Sequence, residues 1–219
     1  MTKKQLVHDC IIQSKMMCIF RTNEIPKETI ITAAKTCIEN GAKLIEITYN
    51  HNEFEEKTFE IVKGIKEQIG KNGYVGVGTV MNENEAQKCI DAGADFLVAP
   101  TLNEKVLKLA NKNDLYYMPG IFTASEAYKA YESGSDIVKL FPTGEVGLDY
   151  AKALMKPLGF IKYFAVGKMT LENFEACLKI GFIGAGISSS INSNEILLAE
   201  NYSEIANKVK KYVEIAKKY

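Results

Sequence analysis

Neither sign of charge prevails in these 219 residues: 27 lysines and arginines stand against 27 aspartates and glutamates. That balance leaves no basic stripe for a nucleic acid and no polybasic face for a membrane surface. Cysteine is sparse and scattered, at Cys10, Cys18, Cys37, Cys89 and Cys177, with no C-x-x-C pair. An odd, unpaired set of this kind excludes a disulfide scaffold or a zinc knuckle and points to reduced thiols in a cytoplasmic protein. No run approaches the roughly 18 apolar residues that a spanning helix needs. The opening stretch "MTKKQLVHDCIIQSK" has no apolar core of signal-peptide type, because His8 and Asp9 interrupt it. A glycine-rich dinucleotide loop is also missing: "CIFRTNEIPKE" contains no glycine, and "GVGTV" carries only two. No low-complexity linker or shift in composition divides the chain, so residues 1–219 are expected to form a single domain.

What is present is a regular alternation. Short β-rich runs ("MMCIF", "KLIEIT", "YVGVGTV", "DFLVA", "LYYMP", "DIVKLF", "IKYFAV", "FIGAGI") are separated by amphipathic stretches. In one of these, Ile61, Ile65 and Ile69 recur at four-residue steps, with Phe54 two turns earlier on the same face. The Lys-rich end "NKVKKYVEIAKKY" has the same helical spacing and reads as a terminal helix with one solvated face. Runs starting at 95, 115, 136, 161 and 182 are 20 to 25 residues apart, one strand plus one helix and two loops. Glycine closes helix after helix in "ENGAK", "DAGAD", "ESGSD" and "KIGFI". Eight such units predict an α/β fold, a (β/α)8 TIM barrel with an extra N-terminal helix, in preference to an open doubly wound sheet.

In a barrel, alternate strand residues face inward, and chemistry collects at the C-terminal ends of the strands. Assigning the phase of each run places Arg21, Glu46, Thr48, Thr79 and Lys139 inward near that end. Each has an ordinary reading taken singly. A lysine at a strand end can snorkel to solvent, a glutamate can serve a structural ion pair, and threonines are common strand residues. His51, in the loop after the second run, lacks the companions of a metal ligand, and no metal or other cofactor is expected. Together, however, the set suits a desolvated lysine whose ammonium is destabilised by a neighbouring cation. Such an amine attacks a ketone, and the resulting Schiff base stabilises a carbanion next door while a carboxylate moves protons. An isomerase or epimerase on a similar barrel, or a non-catalytic sugar-acid binder, are the competing readings.

The pieces "LIEIT", "GVGTV", "GADFLVAP", "YYMPGIFTASE" and "VKLFP", in this order, resemble the 2-keto-3-deoxy-6-phosphogluconate / 4-hydroxy-2-oxoglutarate aldolase family over about residues 21–189. The resemblance implies a homotrimeric barrel enzyme that releases pyruvate from a 2-keto-4-hydroxy acid by class I aldol cleavage. It further implies Lys139 as the Schiff-base lysine and Glu46 as the proton-shuttling carboxylate. Thr79 and Arg21 match groups that hold the pyruvyl carboxylate, and Pro100 and Phe141 match walls of the pyruvate pocket. Two departures stand out. Asn50 occupies a position where some members carry a substrate-binding arginine. In the phosphate cradle, formed here by Gly167, Lys168, Ser188 and Ser189, Lys168 and Ser188 replace two family glycines while Ser189 matches the family serine, so an unphosphorylated substrate is as compatible as a phosphorylated one.

Overall fold

The strands run parallel to their neighbours, and helical returns over the outside of the sheet connect them at every step but one. The computed structural model describes residues 1–22, 24–51 and 55–219; Phe54 lies outside the described residues. The strands are β1 (Met16–Phe20), β2 (Leu44–Thr48), β3 (Tyr74–Gly78), β4 (Phe96–Val98), β5 (Tyr116–Met118), β6 (Gly120–Ile121), β7 (Ile137–Leu140), β8 (Lys162–Val166) and β9 (Gly184–Ile187). They form one sheet in the order β5-β4-β3-β2-β1-β9-β8-β7-β6. The two ends of that order, β5 and β6, are separated in the chain by Pro119 alone. Proline has no N–H to give to the ladder, which is why the segment is split there. Its carbonyl still accepts from Lys139 N at 2.9 Å, so the sheet is a nearly closed barrel. An open doubly wound sheet, the runner-up from the sequence, is ruled out by this order.

The helices are α1 (Lys3–Ser14), α2 (Lys27–Glu39), α3 (Glu55–Ile69), α4 (Glu83–Asp91), α5 (Glu104–Lys112), α6 (Ala124–Glu132), α7 (Thr143–Met155), α8 (Leu171–Lys179), α9 (Ser189–Asn192), α10 (Asn194–Leu198) and α11 (Tyr202–Ala216). The glycines that end four of the returns, Gly41, Gly93, Gly134 and Gly181, have φ between 88° and 104°, which only glycine adopts without strain. On α3, Ile61, Ile65 and Ile69 are buried as their spacing predicts, each side chain contributing roughly 1.5–3 kcal/mol relative to exposure.

Two apolar layers result from the period-two alternation of the strands. The outer layer joins residues such as Cys18, Ile45, Val75, Val77 and Val138 to the helices. The inner layer contains Met17, Ile19, Leu44, Phe96, Val98, Tyr116, Met118, Ile137, Phe164 and Val166. Val7 and Ile11 of α1 complete it. This helix covers the end where the strands begin, held by Lys3 to Asp95 at 2.9 Å and by His8 Nε2 to Asp136 at 2.7 Å. One end of the barrel is therefore plugged, and the C-terminal end is left to the site.

Candidate active site

A cavity of about 600 Å³ opens where the strands end. Its lining includes Arg21, Glu46, Thr48, Thr79, Pro100, Lys139, Phe141, Gly167, Lys168, Ser188 and Ser189. All eleven positions singled out from the sequence thus meet in one place, although they lie on segments more than 160 residues apart.

Lys139 is central on β7 and only 5% exposed. Its neighbours along the inward phase are Ile137, packed in the inner core, and Phe141, whose ring centroid lies 5.1 Å from Nζ. Burial pushes the ammonium below the ordinary lysine range. Glu46 opposes that shift, and the positive charge of Arg21 adds to it. Glu46, on β2, is 3% exposed and shifted the other way. Burial raises its carboxyl, against the pull of Lys139 and Arg21. Its Oε2 has no hydrogen-bond partner. Among the described residues no ion pair joins Glu46 to Lys139, so neither group is locked by the other. An amine driven toward its neutral form and a carboxyl that holds a proton more readily than an ordinary glutamate are the elements of nucleophilic and acid–base catalysis.

The Glu46 side chain has its place because β3 carries Gly78 beside it. A Cβ at Gly78 would fall on the Glu46 carboxylate. Gly78→Ala is therefore expected to displace the carboxylate and reduce kcat by about ten-fold or more, since small misplacements of reacting groups are costly. Circular dichroism melts alongside steady-state kinetics separate this from unfolding.

Thr79 requires a correction. The sequence places it on an inward face shared with Val75 and Val77, yet those valines pack outward against the helices. The inward positions of β3 are the glycines: Gly76 faces Phe96 and Gly78 faces Glu46. Large neighbours on adjacent strands fill the space that a β3 side chain would take. Thr79 reaches the cavity for another reason: β3 has ended, and φ of 63° turns the backbone there. A threonine in the left-handed region carries strain of roughly 1–3 kcal/mol. His51 braces it, with Nε2–H donating to the Thr79 carbonyl at 3.1 Å and Nδ1 3.3 Å from Glu85.

The far side of the cavity is built from the loops after β8 and β9. Gly167 has φ of 114° and Lys168 φ of 44°, so a lysine occupies a left-handed position. The next residue, Met169, is tied down by Ser190 Oγ at 2.7 Å and Tyr212 OH at 3.3 Å, both donating to its carbonyl. Two lining residues escape a sequence reading. Asn192 is buried and donates from Nδ2 to the Ile19 carbonyl at 2.9 Å. Glu145, in the first turn of α7, lies 3.9 Å from Lys168 Nζ. Its signal in the sequence is only an acidic residue following "FPTG", which any helix N-terminus favours. Among the described residues no three His, Cys, Asp or Glu side chains converge as metal ligands would.

Residues 7–208 match the family model described as KDPG and KHG aldolase. The chain is 29% identical over 180 residues to the 2-dehydro-3-deoxy-6-phosphogalactonate aldolase of Escherichia coli (strain K12), covering 82% of this chain and 86% of that one. It is 27% identical over 191 residues to the KHG/KDPG aldolase of the same organism, covering 87% of each. Among solved structures, KDPG aldolase from Legionella pneumophila, with pyruvate captured as a covalent carbinolamine intermediate, superposes with a TM-score of 0.82 at 20% identity. That match covers 92% of this chain and 95% of the other, a likeness of fold.

Proposed function

Because the chain belongs to the KDPG and KHG aldolase family, we propose that Lys139 is the lysine of its class I chemistry and Glu46 the carboxylate that moves the protons. The protein is a carbon–carbon lyase that cleaves a 2-keto-4-hydroxy acid to pyruvate and an aldehyde. The observation that carries the residue assignment is the opposed shift of two buried, unpaired groups in one cavity: an amine moved down and a carboxyl moved up.

The steps follow from those two groups. The neutral Lys139 amine adds to the C2 ketone, giving a carbinolamine whose hydroxyl takes a proton from solvent and leaves as water, so that the protonated imine remains. Glu46 takes the proton of the C4 hydroxyl. The C4–O bond becomes a carbonyl, the C3–C4 bond breaks, and its electron pair enters the imine as an enamine. The aldehyde departs, C3 takes a proton from Glu46, and water adds at C2 to release pyruvate and restore the neutral amine, with one proton returned to solvent. Arg21, Thr48 and Thr79 are assigned to the C1 carboxylate, and Pro100 and Phe141 to the walls around C2 and C3. Arg21 is supported in this role by its influence on both Lys139 and Glu46, which puts its charge beside the reacting end. Gly167, Lys168, Ser188 and Ser189 are assigned to the aldehyde end.

The sign of the pH dependence follows. Lys139 attacks as the free base and Glu46 accepts as the carboxylate, so both groups lose activity on protonation. The expected profile of kcat/KM rises with pH and levels off below the ordinary lysine pKa, because burial has lowered that of Lys139. A pyruvate-release assay coupled to lactate dehydrogenase measures it. A profile still climbing through the range of a free lysine contradicts the assignment.

Counted with Tyr116–Ile121 as one strand broken at Pro119, the barrel we propose is (β/α)8 with α1 as the additional helix, and residues 1–219 make one domain. Solvent-facing Phe122, Tyr131 and Phe160 support a homotrimer, each being 40% exposed or more. Among the described residues no helix is long and apolar enough to cross a membrane; the balanced charge and scattered cysteines support a cytoplasmic enzyme.

A further inference from the structure

Charge is unevenly divided along the cavity. At the reacting end, Arg21 stands beside Lys139 and Glu46 and supplies the positive charge that a C1 carboxylate needs. At the far end, among the described residues, the only charged groups lining the cavity are Lys168 and Glu145, and they face each other at 3.9 Å. The remaining polar groups there, Ser188, Ser189, Ser193 and Asn194, are neutral hydroxyls and an amide.

Glu145 is held in that position by the backbone. Gly144 N donates to the Gly167 carbonyl at 3.1 Å, and Val166 N donates to Thr143 Oγ1 at 3.3 Å, so the start of α7 is tied to the end of β8. The close approach needs Gly144, where a Cβ would sit 2.5 Å from the Gly167 oxygen. Gly147, with φ of 82°, then breaks α7 and leaves this first turn as a separate piece attached to the cavity. The Glu145 carboxylate consequently lies against the turn after β8: a Cβ built on Gly167 would be 2.8 Å from its Oε2. Any anion seeking the backbone N–H groups of that turn would meet a carboxylate already there. Lys168, the one cation lining that end among the described residues, has that carboxylate as its partner.

Resting on the aldolase reading, we propose that the far end of the cavity takes an electrically neutral, hydroxyl-bearing tail, that the substrate is an unphosphorylated 2-keto-3-deoxy sugar acid, and that Glu145 is the residue that turns a phosphate away. A hydroxyl can donate to Glu145 as well as accept from Lys168 and the serines, whereas a phosphate dianion can only accept and has no proton to give the carboxylate. Like charges brought together at a binding site discriminate strongly against the wrong partner.

The test is pyruvate release at low ionic strength from 2-keto-3-deoxygluconate and from its 6-phosphate, with the wild-type protein and Glu145→Gln. The expected wild-type kcat/KM favours the unphosphorylated compound by about ten-fold or more, and Glu145→Gln moves the ratio toward the phosphate by about ten-fold. A wild-type preference for the 6-phosphate, or a ratio that Glu145→Gln leaves unmoved, overturns the proposal. Borohydride trapping of pyruvate alone separates this from the reading beneath it, because pyruvate has no tail. Trapping on Lys139 together with a phosphate preference overturns the substrate class only; failure to trap overturns the aldolase assignment and this proposal with it.

Discussion

Lys139→Met is expected to lower kcat/KM for pyruvate release by about 10⁴-fold or more, because the electron sink for carbon–carbon cleavage is made on that nitrogen. Methionine keeps most of the aliphatic volume on β7, so loss of activity is not loss of the fold. No neighbour can take over. Arg21 is beside the site, but a guanidinium stays protonated and forms no imine. Lys168 lines the same cavity at its far side, with an exposed side chain paired to Glu145. Removing a buried ammonium also removes its desolvation cost, so the melting temperature is expected to hold or rise. Steady-state kinetics and a thermal melt on one preparation check both halves. Activity within ten-fold of wild type would exclude Lys139 from the chemistry.

Glu46→Gln is expected to reduce kcat by about 10² to 10⁴-fold, the span of a lost general acid–base group. Glutamine has nearly the shape of the glutamate, so it fits against Gly78 as the native side chain does. The variant should still form the imine with pyruvate, since Lys139 remains buried beside Arg21. The two substitutions therefore give different signatures: Lys139→Met loses trapping and turnover together, while Glu46→Gln keeps trapping and loses turnover. If Glu46→Gln lost both equally, its role would be to shape the lysine's surroundings and not to move protons.

Much of this was legible in the chain itself, and the limits were physical. Glu46 and Lys139 stand in strands whose other inward residues, Leu44 and Ile137, are apolar, and period-two alternation assigns them without ambiguity. The repeated glycines after helices mark the ends of four of the returns. Thr79 shows where alternation stops being a guide. With glycines on one face of β3 and valines on the other, the sequence does not reveal that the glycine face is the interior. The reason lies in Phe96 and Glu46 on adjacent strands, which need that room. The split at Pro119 was hidden in "LYYMPGIF", which reads as one apolar run. Glu145 and Asn192 were missed because they come from a short helical turn after β7 and from α9. Their direction depends on loop closure, through Gly144 against Gly167 and Asn192 against Ile19, and no periodicity encodes it.

Catalysis here rests on a covalent bond between one nitrogen and pyruvate, and borohydride reduction makes that bond permanent. The protein incubated with pyruvate and borohydride should gain one reduced pyruvyl group per chain and lose activity, and peptide mass spectrometry should place the group on Lys139. A protein that keeps its activity and mass under these conditions, or that carries the group on another lysine, would contradict it.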